Sequence, residues 1–129
     1  LSLPMLVTAF RSELITATVR LGVRDKIHEK GYFPGQVVTL RILDGDDNEL
    51  WSGCVRVTAI RVRRLEHLTR EDLRPTIIYA EEGWLAVQRD LSLFAGETID
   101  PIELVSIVEF EYGVFDKPIW ARWITANDG

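Results

Sequence analysis

The stretch LWSGCVRVTAIRVRRL, Leu50 to Leu65, is the clearest strand in the chain. Valine and isoleucine alternate in it with arginine and threonine, the composition of a pleated, half-buried surface. Period two puts Val55, Val57, Ala59 and Arg61 on one face and Arg56, Thr58, Ile60 and Val62 on the other. The run is long for one strand, so Gly53 is expected to mark a bend or a bulge.

Upstream, QVVTLRIL (Gln36 to Leu43) is a second β-branched run, joined to the first by the acidic turn DGDDNE, Asp44 to Glu49. TATVRLGVRD (Thr16 to Asp25) reads as another strand, with Thr16, Thr18 and Arg20 on one side and Ala17, Val19 and Leu21 on the other. Between them lies the polar connector RDKIHEKGYFPG, whose Gly31, Pro34 and Gly35 are turn residues. LVTAFRSEL allows a short amphipathic helix with Leu6, Phe10 and Leu14 at spacing four.

Downstream, LTREDL has a helix-start pattern, Thr69 as N-cap and Asp72 at the third helical position. AEEGWLAVQRDLSLF predicts a helix with Leu85, Val87 and Leu91 among its apolar residues and Gly83 weakening its start. ELVSIVEFEY, Glu103 to Tyr112, alternates strictly and closes the series as a strand, with Glu109 and Glu111 marking a wet end. The order helix, three strands, helices, strand predicts an α+β fold, a small barrel with helices at its side.

The chain has 129 residues, 47 % hydrophobic and 27 % charged, which suits one soluble domain with its own core. No repeat or linker divides residues 1–129; the core is expected over about 14–112, with 113–129 as a C-terminal extension. A lone Cys54 in an apolar run reads as an inert thiol, and nothing suggests an oxidising compartment. The apolar start has neither a basic leader nor spanning length, and Leu1 in place of methionine suggests a trimmed beginning. A cytoplasmic protein without a membrane partner is therefore expected. Net charge is −5, yet residues 1–74 carry +2 and residues 75–129 carry −7, so an acidic protein can still present a basic face.

Four pieces, taken in order, resemble the ASCH domain, a module of the PUA-like superfamily. TATVR is similar to its Lys-Thr-x-Thr-x-Arg strand, and YFPGQVVTLRI to its aromatic-x-x-Gly-Asp segment. VRVTAIRVRRLEHLTREDL is similar to its long strand and Leu-Thr-x-Glu-Asp helix start, and IVEFEY to its closing strand. The resemblance implies a PUA-like barrel of five to six mostly antiparallel strands with flanking helices, and a cleft beside the first strand that binds RNA or a nucleotide. One branch of the family hydrolyses N4-acetylcytidine with a lysine, a threonine and a glutamate. Its Gly-x-Lys-x-x-Thr-x-Arg pattern falls here on Glu13, Ile15, Thr18 and Arg20, so the glycine and the lysine are replaced. For the glutamate, Glu81 and Glu82 are the candidates.

Two readings of Thr16, Thr18 and Arg20 stay open: a solvated strand face, or a ligand cleft in which Arg20 offers its planar fork to a phosphate or base edge. In the second, the threonine hydroxyls are neighbouring partners, and Arg24 and Lys26 extend the positive lip. Without the lysine, Thr18 lacks a base unless Lys26 or Lys30 supplies one. Binding is thus preferred, with an amidohydrolase acting on acylated nucleosides as the alternative. A second alternative is a protein-interaction module using the acidic C-terminal part, with Trp120 and Trp123 flanking Arg122 in a seam or homodimer contact. The arginine run from Arg61 to Arg74 reads as a charged strand end and helix face, or as a phosphate-tracking stripe. His28 and His67 stand apart from any ligand spacing, and no phosphate-binding glycine loop occurs, so neither a metal nor a cofactor is expected.

Overall fold

The computed structural model describes residues 2–23 and 31–113. In chain order come helix α1 (Leu3–Arg11), strands β1 (Ala17–Leu21), β2 (Val37–Leu43) and β3 (Glu49–Arg64), helices α2 (Arg70–Leu73) and α3 (Trp84–Ala95), and strand β4 (Leu104–Tyr112). Single 3₁₀ turns flank α2 at Leu65–His67 and Arg74–Thr76. The α+β class and the element order are as expected. Among the described residues there are four strands rather than five or six, in the order β1-β4-β3-β2, antiparallel throughout and open at β1 and β2.

The entry to β2 follows from YFPGQ. Gln36 N–H donates to the Phe33 carbonyl at 3.1 Å, with Pro34 presetting its φ and Gly35 at φ 93°, as a type II turn requires. Gly35 N–H donates to the Val57 carbonyl and Val57 N–H to the Gln36 carbonyl, both at 2.8 Å. Gly35 and Gln36, just before β2, thus both oppose Val57 of β3, a bulge of the kind that needs a left-handed glycine.

A second irregularity corrects the expected faces of β3. Val57 pairs with Phe110, but the next partner pair is Ala59 with Glu109, so Thr58 is extra. The extra residue flips the alternation: Ile60 and Val62 join Val55 and Val57 on one face, and Ala59 and Arg61 take the other. Uniform alternation had grouped them the opposite way. Pairing with β2 runs unbroken through Gly53, so the register shift is not there. Gly53 serves packing instead, because a Cβ on it would lie 2.7 Å from the Trp51 indole.

Each sheet face carries a core. The first gathers Ile15, Val38, Ile42, Val55, Val57, Val108 and Phe110 under Ala9 and Phe10 of α1. Ser2 caps α1 by accepting the Met5 N–H, and the helix ends at Arg11, so Leu14 lies beyond it and is exposed rather than continuing the Leu6–Phe10 stripe. The second core joins Ala17, Val19, Val105 and Ile107 to Leu65, Leu68, Leu73, Val87 and Ile99. β4 therefore buries four consecutive residues, Val105 to Val108. Thr69 and Asp72 form the expected reciprocal cap on α2. No helix among the described residues is long and apolar enough to cross a membrane.

Candidate functional site

Among the described residues β1 is an edge strand, and it is held at both ends. At its start, Thr16 N–H donates to the Pro75 carbonyl and Phe110 N–H to the Thr16 carbonyl, both at 2.9 Å. The Tyr112 hydroxyl donates to the Ile15 carbonyl. Burial, together with the Glu13 charge, pushes that phenol up to about 12. At its end, Gly22 N–H donates to the Leu104 carbonyl at 2.9 Å and the Ser106 hydroxyl to the Gly22 carbonyl at 2.7 Å.

Since Ala17 and Val19 enter the second core, Thr18 and Arg20 point to the other face, with Thr16 just before them. Register carries this face across the sheet: Thr18 opposes Val108, which opposes Ile60, and Arg20 opposes Ser106, which opposes Val62. Here the apolar filling of the first core gives way to polar groups. Thr16 and Thr18 are half-buried and Arg20 is exposed. Among the described residues, neither threonine hydroxyl nor the Arg20 guanidinium has a hydrogen-bond or ionic partner.

The other arginines contrast with Arg20. Arg61 holds Asp72 at 2.6 Å and Glu109 at 3.2 Å on the opposite sheet face, with its Nε buried and unpartnered among the described residues. Arg56 pairs with Glu111, Arg64 with Glu66 and Arg74 with Glu71. Arg63 donates to the Val62 carbonyl. The run from Arg61 to Arg74 is thus largely engaged within the protein.

Beside the edge of β1, Ile78 N–H donates to the Thr76 carbonyl at 2.6 Å around Ile77, at φ 61° and ψ −53°. That is a γ-turn of the strained hand with a β-branched residue at its centre. It presents Tyr79, whose hydroxyl donates to Asp90 at 2.9 Å. Burial and the Asp90 hydrogen bond raise the phenol's pKa, and the charges of Arg89 and Arg20 oppose them, so Arg20 lies within electrostatic reach of this pair.

Glu81 and Glu82 are exposed in the turn before α3, and Glu82 pairs with Arg89 at 3.3 Å. Ile15, at the family's lysine position, is 1 % exposed in the first core. Arg24, Lys26, Lys30, Trp120 and Trp123 lie outside the described residues. Cys54 is a half-buried free thiol. It lines a cavity of about 220 Å³ with Phe10, Arg11, Glu13, Trp51 and Tyr112, away from Thr18 and Arg20. The sequence reading passed over Gln36, a polar residue opening an apolar strand. It is 1 % exposed, its Oε1 accepts the Phe33 N–H at 3.3 Å, and its Nε2 is without a partner among the described residues.

No protein-family model matches the sequence. No curated protein matches it either. Solved structures do resemble it. An ASCH domain from Lactobacillus crispatus JV V101 superposes with a TM-score of 0.55 at 11 % identity, over 84 % of this chain and 70 % of that one. A DUF984 protein from Enterococcus faecalis V583 superposes with a TM-score of 0.54 at 19 % identity, over 84 % of this chain and 69 % of that one.

Proposed function

We propose that this chain, which has the fold of an ASCH domain, binds single-stranded RNA or a nucleotide on the β1 face that carries Thr16, Thr18 and Arg20. The observation that carries the reading is the set of three polar side chains on one face of a pinned edge strand, all without partners among the described residues. Arg20 offers a planar donor fork to a phosphate, and the threonine hydroxyls complete the hydrogen bonding. Arg24 and Lys26, on the connector that follows, would add to the positive lip. Unpaired strands are the favoured class, because the deep groove of an RNA duplex is too narrow for side chains to read.

The alternative, an amidohydrolase, requires a base beside Thr18. Ile15 supplies none and is packed in the core, and Glu82 is engaged by Arg89, so binding without turnover is the better-supported reading. Incubation with N4-acetylcytidine should release no acetate by chromatography; release that disappears in Thr18→Val would reverse this choice.

The primary test is titration of labelled single-stranded RNA against wild type and Arg20→Ala. Saturable binding, weakened about tenfold or more by the substitution, is expected for a lost charge-assisted contact. Binding indifferent to Arg20 would remove the reading and leave acylated nucleosides and protein partners as the remaining classes.

A further inference from the structure

We infer that the C-terminal end of α3 receives the segment KPIWARWI, residues 117–124, of a second copy of this chain. The inference does not depend on the RNA-binding reading. Val87, Leu91 and Phe94 recur at helical spacing as one apolar stripe of α3. Val87 is fully buried in the second core and Leu91 is half-buried against it, but Phe94 is 96 % exposed. Leu93 beside it is 77 % exposed. The stripe therefore outruns the core, and Gly96, at φ 76°, stops the helix just past it. Among the described residues nothing covers the Phe94 ring.

Charge selects what covers it. Residues 90–104, from the last turns of α3 into β4, hold Asp90, Glu97, Asp100 and Glu103 and neither lysine nor arginine. No basic residue in the last turn of α3 offsets the negative end of its dipole. Glu97 is exposed and has no partner among the described residues. Such a surface disfavours a phosphate backbone and attracts a cationic, apolar chain, whose arginine can also lie on the Phe94 ring. Segment 117–124 has that composition: Lys117 and Arg122 without an acid, among Ile119, Trp120, Trp123 and Ile124. Reach favours a second copy over the same chain. The Ser92 hydroxyl accepts the Ile99 N–H at 3.0 Å, so this end of α3 lies beside the chain entering β4. The segment follows the opposite end of β4, nine residues along, about 27 Å away. From Tyr112 to Trp120 the chain spans that distance only when nearly straight, at about 3.4 Å per residue. A second copy has no such constraint, and a two-fold pair seats both segments at once.

The test is mass by analytical ultracentrifugation over about a hundredfold range of concentration, for wild type, Phe94→Ser, Glu97→Arg, Arg122→Glu and the last two combined. Wild type should pass from monomer to dimer. Phe94→Ser should weaken the dimer about tenfold or more, as for an anchoring aromatic. Each charge reversal alone should weaken it severalfold, and the two together should restore it. Phe94 is exposed, so the circular dichroism of Phe94→Ser should match wild type; should that variant fail to fold, the charge reversals decide. A protein that stays monomeric throughout overturns the inference, and a red shift of its tryptophan emission in Phe94→Ser would seat the segment on its own chain instead. A dimer that keeps its affinity in Phe94→Ser overturns it as well, as does a combined reversal no tighter than the single ones. Loss of single-stranded RNA binding in Phe94→Ser with the mass unchanged would make the ring a stacking platform for bases, and the inference fails.

Discussion

Arg61 and Arg20 stand two strands apart in one sheet with opposite roles. Arg61 ties the α2 cap to β4 through Asp72 and Glu109, whereas Arg20 has no partner among the described residues. Arg20→Ala should therefore leave stability within about 0.5 kcal/mol, as for an exposed side chain with no structural duty. Asp72→Ala removes a helix cap and strands a half-buried guanidinium, and should cost about 2 kcal/mol in urea unfolding. Burial of Asp72 works against its ionisation, but hydrogen bonds from Thr69 and the Arg61 charge outweigh it and lower its pKa below 3.8. Its contribution is accordingly complete above the unfolded carboxylate range and fades as pH falls through the lower folded value. Stability that falls in wild type as pH drops below the usual carboxylate range should fall less steeply in Asp72→Asn. Sequence alone presents Arg20 and Arg61 as equivalent charges on strands. Which of them is engaged depends on carboxylates that are 11 and 48 residues from Arg61 along the chain.

Three irregular elements position the site, and they differ in how readable they were. The turn into β2 was legible because Pro34-Gly35 names its own geometry; Gly35→Ala, forced to φ 93°, should cost about 1–2 kcal/mol. The extra residue at Thr58 left a trace that uniform alternation passes over. The apolar positions shift phase at Ala59-Ile60, from 55, 57 and 59 to 60 and 62, and pairing with β4 fixes where the extra residue lies. Its effect is large, since it turns Arg61 toward Asp72 and leaves Ile60 and Val62 on the face with Thr18. The γ-turn at Ile77 was hidden. Relief of strain there should make Ile77→Gly neutral or stabilising by about 1 kcal/mol, against the usual sign for a surface glycine substitution. A clear drop in the urea midpoint would show that the conformation is not costly.

As a whole the protein is acidic, with a net charge of −5, so the RNA binding proposed for it cannot rest on bulk attraction. A site built on one unpaired arginine and hydroxyls should show a shallow salt dependence, about −0.7 in log K per log salt for each phosphate contacted and no steeper than about −2 in total. A slope several times larger, measured by titration at four salt concentrations, would place the interface on other cations. Alternation, turn residues and capping patterns were enough to establish the α+β class, the order of the elements and the strand bearing Thr18 and Arg20, because those signals are local and each segment carries its own. The sheet order β1-β4-β3-β2, the two cores and the buried amide of Gln36 were beyond them. These depend on where the last strand inserts and which residue bulges, and such long-range pairings arise from the packing of the whole chain.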